Sequence, residues 1–93
     1  MAMLPAVWSQ TAKRHYASII ESLSGTSLDP ALKLDETTEK MVRQISAFPL
    51  SLPTTDIKQG CRRCVITRHY SLVYEVRDKF VYLVAFLDNR RGS

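Results

Sequence analysis

Three sets of side chains in the 93-residue chain could do chemistry: Cys61-Arg62-Arg63-Cys64, the histidines at 15 and 69, and a late series of arginines interleaved with tyrosines. The cysteine spacing is that of a redox or zinc pair. A zinc site needs two further ligands, however, and no second pair follows. Residues three apart on a strand point to opposite faces, so the cysteines read as two inert, reduced thiols. No metal and no cofactor are expected. His15 and His69 could act as acid or base near neutral pH. His15 lies beside the apolar stripe of a helix, where a surface role is commoner. His69 sits at a hairpin bend, which admits a catalytic one. Tyr70, Tyr74 and Tyr82 could stack on bases, although their period-two spacing reads first as the core side of a sheet.

The charge is unevenly spread. Residues 1–56 hold five Lys/Arg against six Asp/Glu, whereas residues 57–93 hold eight against three, so the net +4 is carried by the late half. A basic half points to nucleic acid or an acidic protein as partner, with a merely solvated face as the plain alternative. No run of about 18 apolar residues exists to span a membrane. Met1-Ala2-Met3-Leu4-Pro5 lacks the basic start and apolar stretch of a secretion signal, so a cytoplasmic placement is expected.

The elements that must position these residues follow from periodicity. Leu4–Trp8 suits a short first strand, with Pro5 tolerated near an edge. Ser9 reads as an N-cap, and Ala12, Tyr16, Ile19, Ile20 and Leu23 mark one face of a helix. Gly25 supplies the stop through its tolerance of the left-handed conformation. Asp29-Pro30 opens a second helix with an aspartate cap. Leu34, Met41, Ile45 and Phe48 are its expected buried stripe, with Val42 beside it, and Pro49 ends it. The short link between the helices predicts an antiparallel hairpin. Phe48–Asp56 is a connecting loop rich in proline and hydroxyl residues. Three strands then form a meander: Cys61–Thr67, Tyr70–Arg77 with its alternation, and the nearly all-apolar Phe80–Leu87, which is expected at the centre of the sheet.

This single domain over residues 1–93 is therefore α+β, β-α-α-β-β-β, with a two-helix hairpin packed on a twisted antiparallel sheet. That order, together with Trp8-Ser9-Gln10-Thr11-Ala12, Arg62-Arg63-Cys64-Val65-Ile66 leading into Tyr70-Ser71-Leu72-Val73-Tyr74-Glu75-Val76, and Val84-Ala85-Phe86-Leu87-Asp88-Asn89-Arg90, resembles the RelE/ParE toxin superfamily. The resemblance implies a toxin of a type II toxin–antitoxin (plasmid stabilisation) system, bound and silenced by a cognate antitoxin in a hetero-oligomer. RelE-like members cleave messenger RNA on the ribosome, and ParE-like members inhibit DNA gyrase without known catalytic residues.

Cleavage of RNA requires deprotonation of a 2′-hydroxyl, stabilisation of a pentacoordinate phosphate and protonation of a leaving oxygen. RelE-like toxins use Lys, Arg and Tyr for this, and the resemblance makes Arg62, Arg68, Tyr70 and Arg90 the candidates here. Arg90 is the strongest match, since the resemblance aligns it with an arginine that RelE-like members use to stabilise phosphate charge, and its planar fork suits phosphate geometry. If nothing is cleaved, Arg62, Arg63, Arg90 and Arg91 become the expected target- or antitoxin-binding residues. Two departures favour the ParE-like reading. Another RelE-like catalytic arginine falls near Ile66, so Arg68 could replace it only through a shift in register. The late tyrosine of RelE-like members is also missing before Ser93. A small basic RNA-binding domain without toxicity is the third reading.

Overall fold

The computed structural model describes residues 3–91, without the side chain of Arg91. Gly92 and Ser93 lie outside the described residues. Strand β1 (Ala6–Trp8) leads into helices α1 (Gln10–Ser24) and α2 (Leu28–Ala47), followed by β2 (Arg62–Thr67), β3 (Tyr70–Val76), β4 (Val81–Asp88) and a 3-10 turn at Asn89–Arg91. The sheet order is β1-β4-β3-β2, so both strands of the last hairpin are interior. The meander β2-β3-β4 is antiparallel as expected, but β1 joins it parallel to β4, pairing Ala6 with Val81 and Trp8 with Leu83. The sheet is thus mixed. Connection 48–61 starts β2 in the direction of β1, and two reversals then bring β4 back to that direction.

Helix α1 begins where Ser9 predicts. The Ser9 Oγ accepts from the Ala12 N–H at 2.9 Å and donates to the Val84 carbonyl at 2.8 Å, which ties the helix start to β4. Ala12 is fully buried, and Tyr16, Ile19, Ile20 and Leu23 pack on the core. The stop at Gly25 differs from expectation, since its φ of −64° is right-handed. The N–H groups of Thr26 and Ser27 both converge on the Leu23 carbonyl at 3.3 Å, so the chain turns without a left-handed residue. The α2 cap also differs. Ser27 is the extended N-cap residue and makes no side-chain bond, while Asp29 lies inside the first turn, where its charge suits the positive end of the helix.

The buried face of α2 is Ala31, Leu34, Thr38 and Ile45, flanked by Met41 and Val42. Phe48 departs from the expected stripe: it is 57% exposed, because the chain leaves the helix there ahead of Pro49. The core between helices and sheet joins Leu34 and Ile45 to Cys64, Ile66, Tyr70, Leu72, Tyr74, Val81, Leu83 and Phe86. Tyr70 and Tyr74 face inward as the alternation predicts, and the Tyr74 hydroxyl donates to the Pro49 carbonyl at 3.0 Å. Tyr82 does not. It pairs with Glu75 on the outer face, where the Arg77 guanidinium lies 4.5 Å from its ring centroid. The helices cover one face of the sheet only, which leaves the outer side of β4 half-exposed.

Two outcomes follow for stability. Ser9→Ala should cost about 1–2 kcal/mol, because it removes both the cap and the tie to Val84; a urea midpoint equal to that of the parent protein would contradict it. Burial pushes the Cys64 thiol up to about 11 and the Tyr74 phenol up to about 12, whereas their ordinary values are 9.0 and 10.0. The unfolded chain releases these protons first as pH rises. Both groups' contributions are therefore intact below pH 9 and are lost as pH climbs through 11 to 12. Urea midpoints followed by circular dichroism should fall steadily from pH 9 upward, and Cys64→Ala should flatten part of that fall.

Candidate functional site at the hairpin end

Arg68 and His69 form the turn between β2 and β3. The Thr67 hydroxyl accepts from the His69 N–H at 3.1 Å. Asn89 clips this turn from the other side: its backbone N–H donates to the His69 carbonyl at 2.7 Å and its side-chain amide to the Arg68 carbonyl at 3.3 Å. The end of β4 and the tip of the β2-β3 hairpin are therefore one rigid unit.

Arg90 is set on that unit by a fork. Its Nε and one terminal nitrogen meet the two oxygens of Asp88 at 3.1 Å each, and its backbone N–H adds a third bond to Asp88 at 3.0 Å. The same terminal nitrogen donates to the Tyr70 hydroxyl at 3.1 Å, and the guanidinium carbon stands 5.5 Å from the Tyr70 ring centroid. Hydrogen bonding from Asp88 raises the already high pKa of Arg90. Arg90 is thus a fixed cation that cannot exchange a proton. It can hold an anion, and any acid–base step would fall to His69, Tyr70 or a substrate group.

Arg63 lies on the outer face and stitches the end together. Its Nε donates to the Ser71 hydroxyl at 3.0 Å and a terminal nitrogen to the Asn89 side-chain carbonyl at 2.8 Å. Arg62 is placed apart. It stands at the other end of β2, about 20 Å along the strand from Arg68. Its guanidinium donates to the carbonyl of Leu52 and, at 3.5 Å, to that of Leu50, holding the connecting loop. Arg68 and Arg90 therefore share one end with Arg63 behind them, and Arg62 is not among them. The backbone of Arg91 continues the same 3-10 turn.

Helix α1 adds Arg14 and Ser18, which sequence reasoning missed. With His15 they line a groove of about 400 Å³ together with Ile19, Phe86, Leu87 and Asp88. Arg14 and Ser18 lie one turn apart beside the apolar stripe, so the helical period shows that they flank the core. Nothing local shows that this flank meets the end of β4. Through Asp88, this groove adjoins the end that carries Arg90, and its cations suit an anionic partner.

Comparison with known proteins agrees with this architecture. A solved chain of the chromosomal ParDE TA system from P. aeruginosa superposes with a TM-score of 0.78 at 16% identity, over 92% of this chain and 96% of that one. The likeness at that identity is one of fold. A search of the curated proteins finds no match. No helix among the described residues is long and apolar enough to cross a membrane. The family model of the ParE toxin of type II toxin-antitoxin system, parDE, matches residues 6–92. The chain belongs to the ParE toxin family.

Proposed function

We propose that the protein arrests growth by binding and blocking DNA gyrase, without a bond-breaking step of its own, and that a cognate antitoxin silences it. The family match over residues 6–92 carries this reading. The chemistry at the hairpin end supports it. Arg90 is locked on Asp88 and Tyr70, while Arg62 holds a loop elsewhere. Fixed cations suit recognition of a charged surface better than proton transfer. In this reading Arg68 and Arg90 touch the target or the antitoxin, with Arg91 beside them. Arg63 keeps the β2-β3 turn and the 3-10 turn in register.

Ribosome-dependent cleavage of messenger RNA is the second reading. It is favoured by the gathering of Arg68, His69, Tyr70 and Arg90, which would place phosphate-holding cations beside two titratable groups.

Gyrase supercoiling and primer extension on a reporter message, run side by side, separate the two. The expected result is dose-dependent loss of supercoiling with the message intact. Arg68→Ala and Arg90→Ala should each weaken inhibition several-fold, while Arg62→Ala lowers the melting temperature and leaves inhibition per folded molecule unchanged. A cleaved message with normal supercoiling would transfer the function to the second reading. Normal growth at high levels of soluble protein would remove toxicity altogether.

A further inference from the structure

Arg62 and Arg63 are consecutive on β2, so their side chains leave opposite faces of the sheet. Arg62 holds the connecting loop, whereas Arg63 runs along the outer face toward the tip of the hairpin. The strand partner of Arg63 is Val73, yet its Nε donates to the hydroxyl of Ser71, the next outward residue of β3, at 3.0 Å. A terminal nitrogen of Arg63 then donates to the Asn89 side-chain carbonyl at 2.8 Å. Ser71 is fully buried although no helix covers this face. Arg63 closes no ion pair among the described residues.

The chemistry of a guanidinium gives this chain of bonds a direction. Arg63 can only donate, so Ser71 Oγ and Asn89 Oδ1 must both accept. With Oδ1 turned to Arg63, the Asn89 amide nitrogen is left facing the Arg68 carbonyl, to which it donates at 3.3 Å. The Asn89 backbone N–H donates to the neighbouring His69 carbonyl at 2.7 Å. Turned the other way, the amide would set its NH2 against the guanidinium and its oxygen against the Arg68 carbonyl. Arg63 therefore selects the one orientation that fastens the β2-β3 turn to the residue before Arg90. Packing alone does not require this. An apolar pair at positions 63 and 71 would leave no buried hydroxyl to satisfy, at little or no loss of stability.

We propose that Ser71, Arg63 and Asn89 are positioning residues: they fix Arg68 and His69 relative to Arg90, and Arg63 acts on partner binding without touching the partner. The role in binding rests on the reading of the hairpin end as the surface that meets the target. The guanidinium of Arg63 then matters for its geometry and not for its charge.

Two substitutions separate position from charge. Arg63→Lys keeps the charge and loses the planar fork, while Arg63→Met keeps only the apolar stem. Ser71→Ala removes one acceptor and changes no charge. Two measurements are made on each full-length variant. One is hydrogen exchange of the Asn89 N–H relative to that of Leu72 in the buried centre of β3. The other is inhibition of gyrase supercoiling per folded molecule. Both Arg63 variants should speed Asn89 exchange about tenfold relative to Leu72, and should weaken inhibition by the same several-fold factor. Ser71→Ala should do both to a lesser extent, about threefold. Full inhibition by Arg63→Lys beside weakened inhibition by Arg63→Met would make Arg63 a charged contact and overturn the proposal. Unchanged Asn89 exchange in both Arg63 variants would overturn it as well. If the parent protein leaves supercoiling untouched, the gyrase reading fails alone, and the exchange ratios still decide whether Arg63 positions the turn.

Discussion

A single irregularity in β4 sets the phase of everything after it. Tyr74 pairs with Leu83 and Val73 with Ala85, so Val84 is passed over as a β-bulge. Before the bulge the odd-numbered residues Val81 and Leu83 face the helices; after it the even-numbered Phe86 does. Pairing with Tyr70 then puts Asp88 on the helix side, where Arg90 forks onto it and reaches the Tyr70 hydroxyl. A regular strand would turn Asp88 to the outer face, away from Tyr70. The carbonyl at the bulge is used as well, since Ser9 Oγ donates to it while capping α1. One local irregularity thus anchors the first helix and aims the last arginine.

That irregularity explains which parts of the molecule were legible in the sequence. Ser9, the α1 stripe, the stop before Pro49 and the alternation of β3 each follow from a local rule, and each is found. In β4 nearly every position is apolar, and such a run carries no phase, so the bulge and the outward turn of Tyr82 are invisible in it. The parallel docking of β1 is a property of the whole path of the chain. Phe48 has the spacing of the buried stripe but lies one residue too late, at the point where the helix ends. Arg62 shows the same limit from the side of function. The family resemblance places it correctly on the strand after the loop, yet only the fold of residues 49–52 shows which carbonyls take its charge.

The hairpin end is organised so that Arg63 and Arg90 are each held by several partners. Asn89 contacts both residues of the β2-β3 turn and accepts from Arg63, while Asp88 holds Arg90. Side-chain entropy that long arginines would otherwise lose on binding is already spent in folding. An exposed ion pair contributes little to stability. The Arg90–Asp88 fork therefore makes better sense as a means of presenting a guanidinium in one orientation than as a staple of the fold.

A domain of this size buries only part of its chain and is marginally stable. Whatever binds its folded form therefore contributes to its survival. The two flanks of α1 differ in charge: Arg14 and His15 stand beside the basic end, whereas on the other side Lys13 and Arg43 share a groove with Asp35 and Glu39. A partner of uniform negative charge suits the first flank better than the second. The Ser9–Val84 tie holds the start of that helix on β4, so the flank that carries Arg14 and the strand that leads to Arg90 are positioned from one point of the fold.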